Sequence, residues 1–264
     1  MMHKSSALRH PVALSNWKMA MSVRESLDFV RDFQAASGRL LAAVDVIICP
    51  PFTALYPVAQ AIAGSRLQLG AQTVAASTDF AHTGQISAAL LADVGCRWVM
   101  LGHWEVRRGL GVDDTTVNQQ LRLTLAAGLA PILLIGESRD ENDSPEAALD
   151  RRLSATLAGY PVEQAGRLII VYEPEGAIGM AEPVTPAHVA AGCRFIRDWL
   201  VHHWNQTAAD QTRLIYGGSV TPDHAAELLN NPHLDGLGAS RRGRDPHTFT
   251  DIVRQIAQAK AGRS

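Results

Sequence analysis

A glutamate stands just beyond the end of an apolar run. Leu168-Ile169-Ile170-Val171 is uninterrupted by polar residues, as expected of a strand that is buried on both faces. Glu173 follows it, and Gly176 lies three residues further on. In a parallel barrel, residues that leave the carboxyl end of a strand point into the active-site mouth. This position predicts that Glu173 is a catalytic base, although a rim glutamate can also pair with a neighbouring arginine or lysine.

Two more reactive side chains follow apolar runs in the same way. Lys18 ends Leu14-Ser15-Asn16-Trp17-Lys18, and an ammonium group at a strand exit can stabilise a phosphate or an enediolate. His103 ends Met100-Leu101-Gly102-His103, where a neutral imidazole can polarise a carbonyl or shuttle a proton. Taken singly, a lysine is more often a solvated surface charge and a histidine is more often structural.

A glycine pair offers a site for an anion. Tyr216-Gly217-Gly218-Ser219 leads into a predicted helix around Pro222. The first amide groups of a helix have no partner within it, so they and the positive end of the helix dipole can bind a phosphate. An isolated Gly-Gly pair more often permits only a tight turn. Its position after a seventh strand favours the phosphate site, because barrels often bind phosphate there.

The elements that must position these residues alternate between strand and helix. Apolar runs predict eight strands, at 12–15, 44–49, 67–71, 98–101, 130–135, 168–172, 214–216 and 236–239. Amphipathic segments between them predict helices that include 23–36, 117–127, 146–157, 186–203, 223–229 and 248–259. Eight such units in one chain indicate a closed (β/α)8 TIM barrel of the α/β class, with a doubly wound open sheet as the alternative.

In a barrel, the residues that follow each strand converge on one mouth. These residues are Asn16, Lys18, His103, Glu105, Glu173, Gly217, Gly218, Ser219, Ser240 and Arg241. The set contains a base, an imidazole, a cation and an anion site. Together they indicate proton abstraction beside a carbonyl on a small phosphorylated sugar.

Composition limits the other possibilities. The chain has 264 residues, 47% apolar and 19% charged, which suits one α/β domain over residues 1–264. A net charge of -2 gives no electrostatic footprint for nucleic acid or an anionic membrane. Three separated cysteines without a CxxC pair, and histidines without HExxH spacing, predict no metal site and fit a reducing cytoplasm. No segment is typical of a signal peptide or a membrane span.

Short motifs along nearly the whole chain resemble the triosephosphate isomerase family. They are Asn16-Trp17-Lys18-Met19, Cys49-Pro50-Pro51-Phe52-Thr53, Gly70-Ala71-Gln72, Thr83-Gly84-Gln85-Ile86-Ser87, Leu101-Gly102-His103, Ile135-Gly136-Glu137, Tyr172-Glu173-Pro174, Ala177-Ile178-Gly179, Tyr216-Gly217-Gly218-Ser219-Val220 and Asp235-Gly236. The resemblance implies a cofactor-independent aldose-ketose isomerase that interconverts glyceraldehyde 3-phosphate and dihydroxyacetone phosphate. It also implies a role for each site residue: Lys18 as electrostatic catalyst, His103 as electrophile, Glu173 as base, Glu105 as the carboxylate beside the histidine, Asn16 as substrate contact, and Gly179, Ser219, Ser240 and Arg241 as phosphate contacts.

Several positions depart from the family pattern. Trp104 stands where the family usually has serine, which is expected to alter the floor of the site. The loop after the base begins Pro174-Glu175-Gly176 where the family usually has Pro-Val-Trp. Ser240-Arg241 replaces a glycine pair, and Arg241 resembles the branch of the family that isomerises tetrulose phosphates such as erythrulose phosphate. The alternative interpretation is that the arginines after Ser240 are solvated charges at the rim of the barrel.

Three function hypotheses therefore remain. The first is a triosephosphate isomerase and the second is a tetrulose-phosphate isomerase. The third, of another class, is a barrel that binds a sugar phosphate with little turnover. Thr83-Gly84 resembles the family segment that reaches into a neighbouring subunit, so the resemblance also implies a homodimer.

Overall fold

Eight parallel strands form a closed barrel in a computed structural model that describes residues 9–140, 142–177 and 184–261. Each strand pairs with the next along the chain, and the first pairs with the last. This closure confirms the (β/α)8 barrel and excludes an open sheet. The strands are β1 Val12–Asn16, β2 Asp45–Cys49, β3 Gln68–Ala71, β4 Trp98–Leu101, β5 Ala130–Ile135, β6 Ile169–Tyr172, β7 Arg213–Gly217 and β8 Gly236–Ala239.

Helices cover the outside of the barrel. Within the described residues they are α1 Val23–Ser37, α2 Leu40–Ala43, α3 Leu55–Ala61, α4 Ala88–Asp93, α5 Trp104–Leu110, α6 Asp114–Ala126, α7 Pro145–Thr156, α8 Pro186–His203, α9 Gln206–Gln211, α10 Pro222–Leu229 and α11 Pro246–Lys260. Polar capping residues define where most of the longer helices begin. Ser22 forms a reciprocal capping box at α1, and Thr185 precedes a proline at the start of α8. None of the helices in these segments is long and apolar enough to cross a membrane.

Alternation along the strands separates two apolar layers. On β2, Val46 and Ile48 pack outward against the helices, whereas Ile47 and Cys49 belong to the cluster inside the barrel. All four side chains are fully buried. Burying each large aliphatic side chain contributes about 1.5–3 kcal/mol, so the packed interior makes the barrel a rigid support for its mouth.

Strand order places the predicted reactive positions at one end. The exits of β1, β4, β6, β7 and β8 all lie at the carboxyl-terminal mouth of the barrel. The main-chain N–H of Glu173 donates to Ile135 O at 2.8 Å, which extends the β5–β6 ladder by one residue into that mouth. The division of residues 1–264 into one domain stays a prediction, because both chain ends lie outside the described residues.

Candidate active site

Lys18 lies in an unusual backbone conformation just after β1. Its φ of 53° is in the left-handed region, which is uncommon for a lysine and is often found at functional sites. Two side chains hold this turn. Asn16 Oδ1 accepts from Lys18 N at 2.9 Å, and Gln72 Nε2 donates to Lys18 O at 2.7 Å. The lysine is therefore fixed through both of its main-chain polar groups.

His103 caps the helix that follows it. Its Nδ1 accepts a hydrogen bond from the main-chain N–H of Glu105 at 3.1 Å, at the first turn of α5. The ring is buried. A nitrogen that accepts carries no proton, so the neutral ring presents Nε2–H to the barrel mouth. That nitrogen lies 3.6 Å from Glu173 Oε2.

Glu173 is a buried carboxylate with incomplete hydrogen bonding. The residue is 7% exposed, and Oε2 has no hydrogen-bond partner among the described residues. Burial raises the pKa of Glu173 above its ordinary value, while the nearby His103 and Lys18 oppose that rise. A carboxylate whose pKa is raised toward neutrality is a stronger base than a solvated one.

An ion pair links the lysine to the histidine segment. The ammonium of Lys18 contacts the carboxylate of Glu105, the residue whose N–H caps His103. Glu105 is about half exposed, so this pair lies at the rim of the mouth. The contact restricts the orientation of the long, flexible Lys18 side chain. The positive charge of Lys18 still opposes the rise in the pKa of Glu173.

Two glycines make room for the base. A Cβ at Gly217 would lie 3.2 Å from Glu173 Oε1 and 2.7 Å from Val171 Cγ1. At Gly136 a Cβ would lie 2.2 Å from Glu173 O. Neither position therefore accepts a side chain without movement of the base or its strand.

Asn16 and Ser240 lie at the same mouth. Asn16, His103, Glu173 and Ser240 line a cavity whose floor is formed by Leu14, Met100, Leu134 and Val171, and whose wall is formed by Gly217, Gly218, Gly238 and Ala239. Ser219 Oγ donates to Ala177 O at 3.2 Å. Arg241 is exposed, and Gly179 lies outside the described residues. No group of three or more potential metal-binding side chains occurs within 9–140, 142–177 and 184–261.

Comparison with known proteins shows the family of this chain. A family model described as triosephosphate isomerase matches residues 11–256. This chain belongs to the triosephosphate isomerase family. A relative named triosephosphate isomerase from Symbiobacterium thermophilum is 39% identical over 256 residues, covering 96% of this chain and all of the relative. Similarly named proteins are 41% identical in Chloroflexus aurantiacus, over 93% of this chain and 99% of the relative, and 38% identical in Carboxydothermus hydrogenoformans, over 94% and 99%.

Two residues of this family member support the site in ways the sequence did not predict. Gln72 supports both Lys18 and β2, because its amide donates to Lys18 O and to Cys49 O. Gln72 lies just after β3, so the expectation that residues following the strands converge on the mouth could have identified it. Trp104 was expected to alter the floor, and its indole N–H in fact donates to the main-chain oxygen of Glu173 at 3.0 Å. That contact spans 69 residues, so spacing along the chain could not reveal it.

Proposed function

We propose that this chain interconverts glyceraldehyde 3-phosphate and dihydroxyacetone phosphate through an enediolate, without a metal or nucleotide. The observation that carries the proposal is the 3.6 Å separation between Glu173 Oε2 and His103 Nε2, both buried at the mouth of the barrel. A carbon base this close to a hydrogen-bond donor suits proton abstraction beside a carbonyl. The relatives named triosephosphate isomerase span nearly the whole chain and support the three-carbon substrate.

The reaction is a balanced transfer within one substrate. Glu173 removes a proton from the carbon beside the carbonyl, and the electron pair of that C–H bond moves to form the enediolate. The N–H of His103 polarises the carbonyl oxygen, and the ammonium of Lys18 stabilises the negative charge that develops. Glu173 then returns the proton to the adjacent carbon, while one hydroxyl proton is exchanged between the two oxygens.

The phosphate group is assigned to the loops after β7 and β8. In the proposal, main-chain groups near Ser219 and Ser240 hold it, together with Gly179 and with the positive charge of Arg241. The loop after β8 is braced from below, since Ser15 Oγ donates to Gly243 O at 2.6 Å. A fixed loop of this kind holds a dianion without reorganisation during the reaction.

A substrate comparison tests the proposal. We expect purified protein to give its highest kcat/KM with glyceraldehyde 3-phosphate, above both enantiomers of erythrulose phosphate. Lys18→Met keeps the side-chain length and removes the charge, and should lower kcat/KM by about 10² or more. A higher value with erythrulose phosphate would contradict the three-carbon substrate. Tight binding of the sugar phosphates without turnover would contradict isomerisation and favour a binding barrel.

We also infer that the chain acts as a homodimer. Met19 and Phe80 are large apolar side chains that are 98% and 103% exposed, and their burial against a second copy of the chain would favour association. Met19 follows Lys18 directly, so a second copy that covers it would also brace the lysine turn. We expect sedimentation to give a dimer, and Phe80→Glu to shift it toward the monomer with reduced turnover. A fully active monomer would contradict the inference.

A cytoplasmic location is part of the same proposal. The cysteines Cys49, Cys96 and Cys193 are all buried thiols. Buried unpaired thiols suit a reducing compartment better than an oxidising one. Recovery of the protein in the cytoplasmic fraction of its host would agree with this assignment.

A further inference from the structure

The helix that begins directly after His103 contacts the main chain of the base. Trp104 is the first residue of α5, and its Nε1–H donates to Glu173 O at 3.0 Å. On the other side of the same residue, Glu173 N donates to Ile135 O at 2.8 Å. Both main-chain polar groups of Glu173 are thus hydrogen-bonded, one of them by an indole.

The indole itself is held in place by arginines. The guanidinium carbon of Arg152 lies 4.9 Å from the centroid of the Trp104 ring, and that of Arg107 lies 5.8 Å from it. Arg107 is anchored in turn, because its Nε donates to Gly102 O at 2.8 Å and its Nη1 lies 2.7 Å from Asp114 Oδ1. Cation–π contacts of this kind restrict the orientation of the ring.

One turn further along α5, Arg108 holds the residue that stands two positions after the base. Its Nε and Nη2 donate to the carboxylate of Glu175 at 2.9 and 2.8 Å. Glu175 is buried and also accepts from Ser138 Oγ at 2.9 Å and from Arg139 N at 3.1 Å. These contacts lower the pKa of Glu175 to about 2, so its carboxylate stays charged near neutral pH.

The carboxylate of Glu173 lacks comparable support. Its Oε2 has no hydrogen-bond partner in the described parts of the chain. The position of this side chain therefore depends on the main chain that carries it. A misplacement of about 1 Å can lower the rate of an enzyme by 10². Contacts that fix the main chain at residues 173–175 therefore affect the reaction rate, because they determine where the Glu173 carboxylate lies.

We propose that Trp104 and Arg108 form a clamp that positions Glu173 relative to His103. Both residues belong to the helix that His103 caps, so one rigid element orients the imidazole and the base together. The clamp consists of the Trp104–Glu173 and Arg108–Glu175 contacts. Neither residue touches the reacting atoms, so each acts through the main chain of the base. The kinetic test of this inference rests on the proposed function. The spectroscopic test does not depend on that function.

The chain provides a matched control for the indole. Trp98 is also buried, its Nε1 donates to Gln68 Oε1 at 2.6 Å, and it lies between two arginines, 5.7 Å from Arg97 and 5.0 Å from Arg213. It begins β4, at the opposite end of the strand from His103. Trp98→Phe therefore makes the same chemical change as Trp104→Phe, far from the base.

The kinetic test compares these two variants. We expect Trp104→Phe to lower kcat by about tenfold with KM within about twofold, because substrate binding does not depend on the carbon base. Trp98→Phe should leave kcat within about twofold of the wild type. Equal kcat values for the two variants would overturn the proposal. Arg108→Lys tests the other half of the clamp and is expected to lower kcat in the same way, with exposed Arg31→Lys as its control.

Combining the two substitutions tests whether Trp104 and Arg108 act together on the same main chain. If both residues hold the same main chain, the double variant Trp104→Phe with Arg108→Lys loses less than the product of the two single losses. A fully multiplicative loss would overturn the single clamp. Arg108→Lys also keeps the proposal testable if Trp104→Phe does not fold.

A spectroscopic readout separates the clamp from the choice of substrate. Carbon-13 NMR of the Glu173 carboxyl follows its titration with no substrate present. Burial raises the pKa of Glu173, while the N–H of His103 and the charge of Lys18 oppose that rise, so a base displaced from this position should titrate at a different pH in Trp104→Phe. Trp98→Phe should titrate as the wild type does. An unchanged titration in Trp104→Phe overturns the clamp even if the wild type turns over a different sugar phosphate.

Discussion

Two carboxylates are buried at opposite ends of the barrel, and their surroundings differ. Asp235 precedes β8 at the amino-terminal end and is 4% exposed. Its Oδ2 accepts from Arg197 Nη2 at 2.6 Å and from Leu214 N at 2.8 Å, and its Oδ1 accepts from Arg9 Nε at 2.7 Å. Glu173, at the mouth, is 7% exposed and has an oxygen without a hydrogen-bond partner in the described structure.

The contrast separates structural charge from reactive charge. A buried carboxylate is tolerated when pairing offsets its desolvation, and Asp235 meets this condition with two arginines and an amide. Glu173 does not, so its ionised form is disfavoured and its affinity for a proton is increased. The completeness of pairing, and not burial itself, therefore distinguishes a residue that holds the barrel together from one that can exchange a proton.

The largest expected effect is on turnover. Glu173→Gln keeps the shape of the side chain and removes the base, so kcat should fall by about 10² to 10⁴. Affinity for the phosphate group should change much less. The measurement is steady-state kinetics with glyceraldehyde 3-phosphate, with exposed Glu163→Gln as the control. Wild-type turnover in Glu173→Gln would remove Glu173 from its role.

Asp235, the buried carboxylate at the other end of the barrel, should affect stability rather than turnover. Asp235→Asn leaves the buried guanidinium of Arg197 without its counter-ion, which should lower the free energy of unfolding by about 3–5 kcal/mol. Asp210 is partly exposed, and its Oδ1 lies 3.9 Å from Arg9 Nη1 and accepts from Gln206 Nε2 at 3.1 Å, so Asp210→Asn should cost less than about 1 kcal/mol. Urea unfolding measures both. If Asp235→Asn proved as stable as Asp210→Asn, the distinction drawn between the two ends would be wrong.

The pH dependence of stability should have opposite signs at two neighbouring glutamates. Burial raises the pKa of Glu173 above 4.5, so its charge destabilises the folded protein at neutral pH. Glu173→Gln should therefore be more stable than the wild type at neutral pH, and the difference should shrink as the pH falls through the raised pKa of Glu173 and be absent below 4.5. Urea unfolding at a series of pH values measures it. A variant that is less stable at neutral pH would contradict this.

Glu175 should show the reverse. Its pKa of about 2 lies below the ordinary 4.5, so its charge stabilises the folded state above pH 4.5, and this contribution is lost as the pH falls toward 2. Glu175→Gln should lower the free energy of unfolding by about 1.5–3 kcal/mol at neutral pH. The same urea titration applies, and a difference that does not shrink below pH 4.5 would contradict the assignment.

The smallest expected effect comes from the space around the base. Gly217→Ala places a Cβ 3.2 Å from Glu173 Oε1, so the carboxylate must shift by a few tenths of an ångström. We expect kcat to fall by about tenfold, and the 2.7 Å approach to Val171 Cγ1 should also lower the free energy of unfolding by about 1–3 kcal/mol. Gly166→Ala meets no atom closer than 3.9 Å and serves as the control. Equal kinetics for the two alanine variants would show that this glycine is not required by the base.

Much of the fold was predictable because the apolar strands carry a strong local signal. Each predicted strand lies within one residue of its position in the structure, and the helix Pro186–His203 was predicted with the bounds that are found. The sequence pattern does not predict shorter helices such as α5 and α9. Their apolar pattern is too short to show a period, and α5 is capped by His103, although histidine is not among the preferred capping residues.

The site was predictable only in part. The rule that strand exits converge predicts that Lys18, His103 and Glu173 lie together, and in the structure both His103 and Lys18 act on the Glu173 carboxyl. The contacts that support them were hidden, because Trp104 and Glu173 are joined by a hydrogen bond between residues 69 apart in the chain. Partners of this kind depend on three-dimensional distance. The roles of the site residues, including the phosphate contacts, remain predictions.

The amide that His103 accepts ties an imidazole to the first turn of a helix. Adding a proton to Nδ1 would break that bond and uncap α5, so the ring can exchange hydrogen only through its other nitrogen. Fraying of this single turn would release the imidazole while the eight strands stay paired. Mild heating should therefore abolish activity before the barrel unfolds, and loss of activity should precede the calorimetric transition.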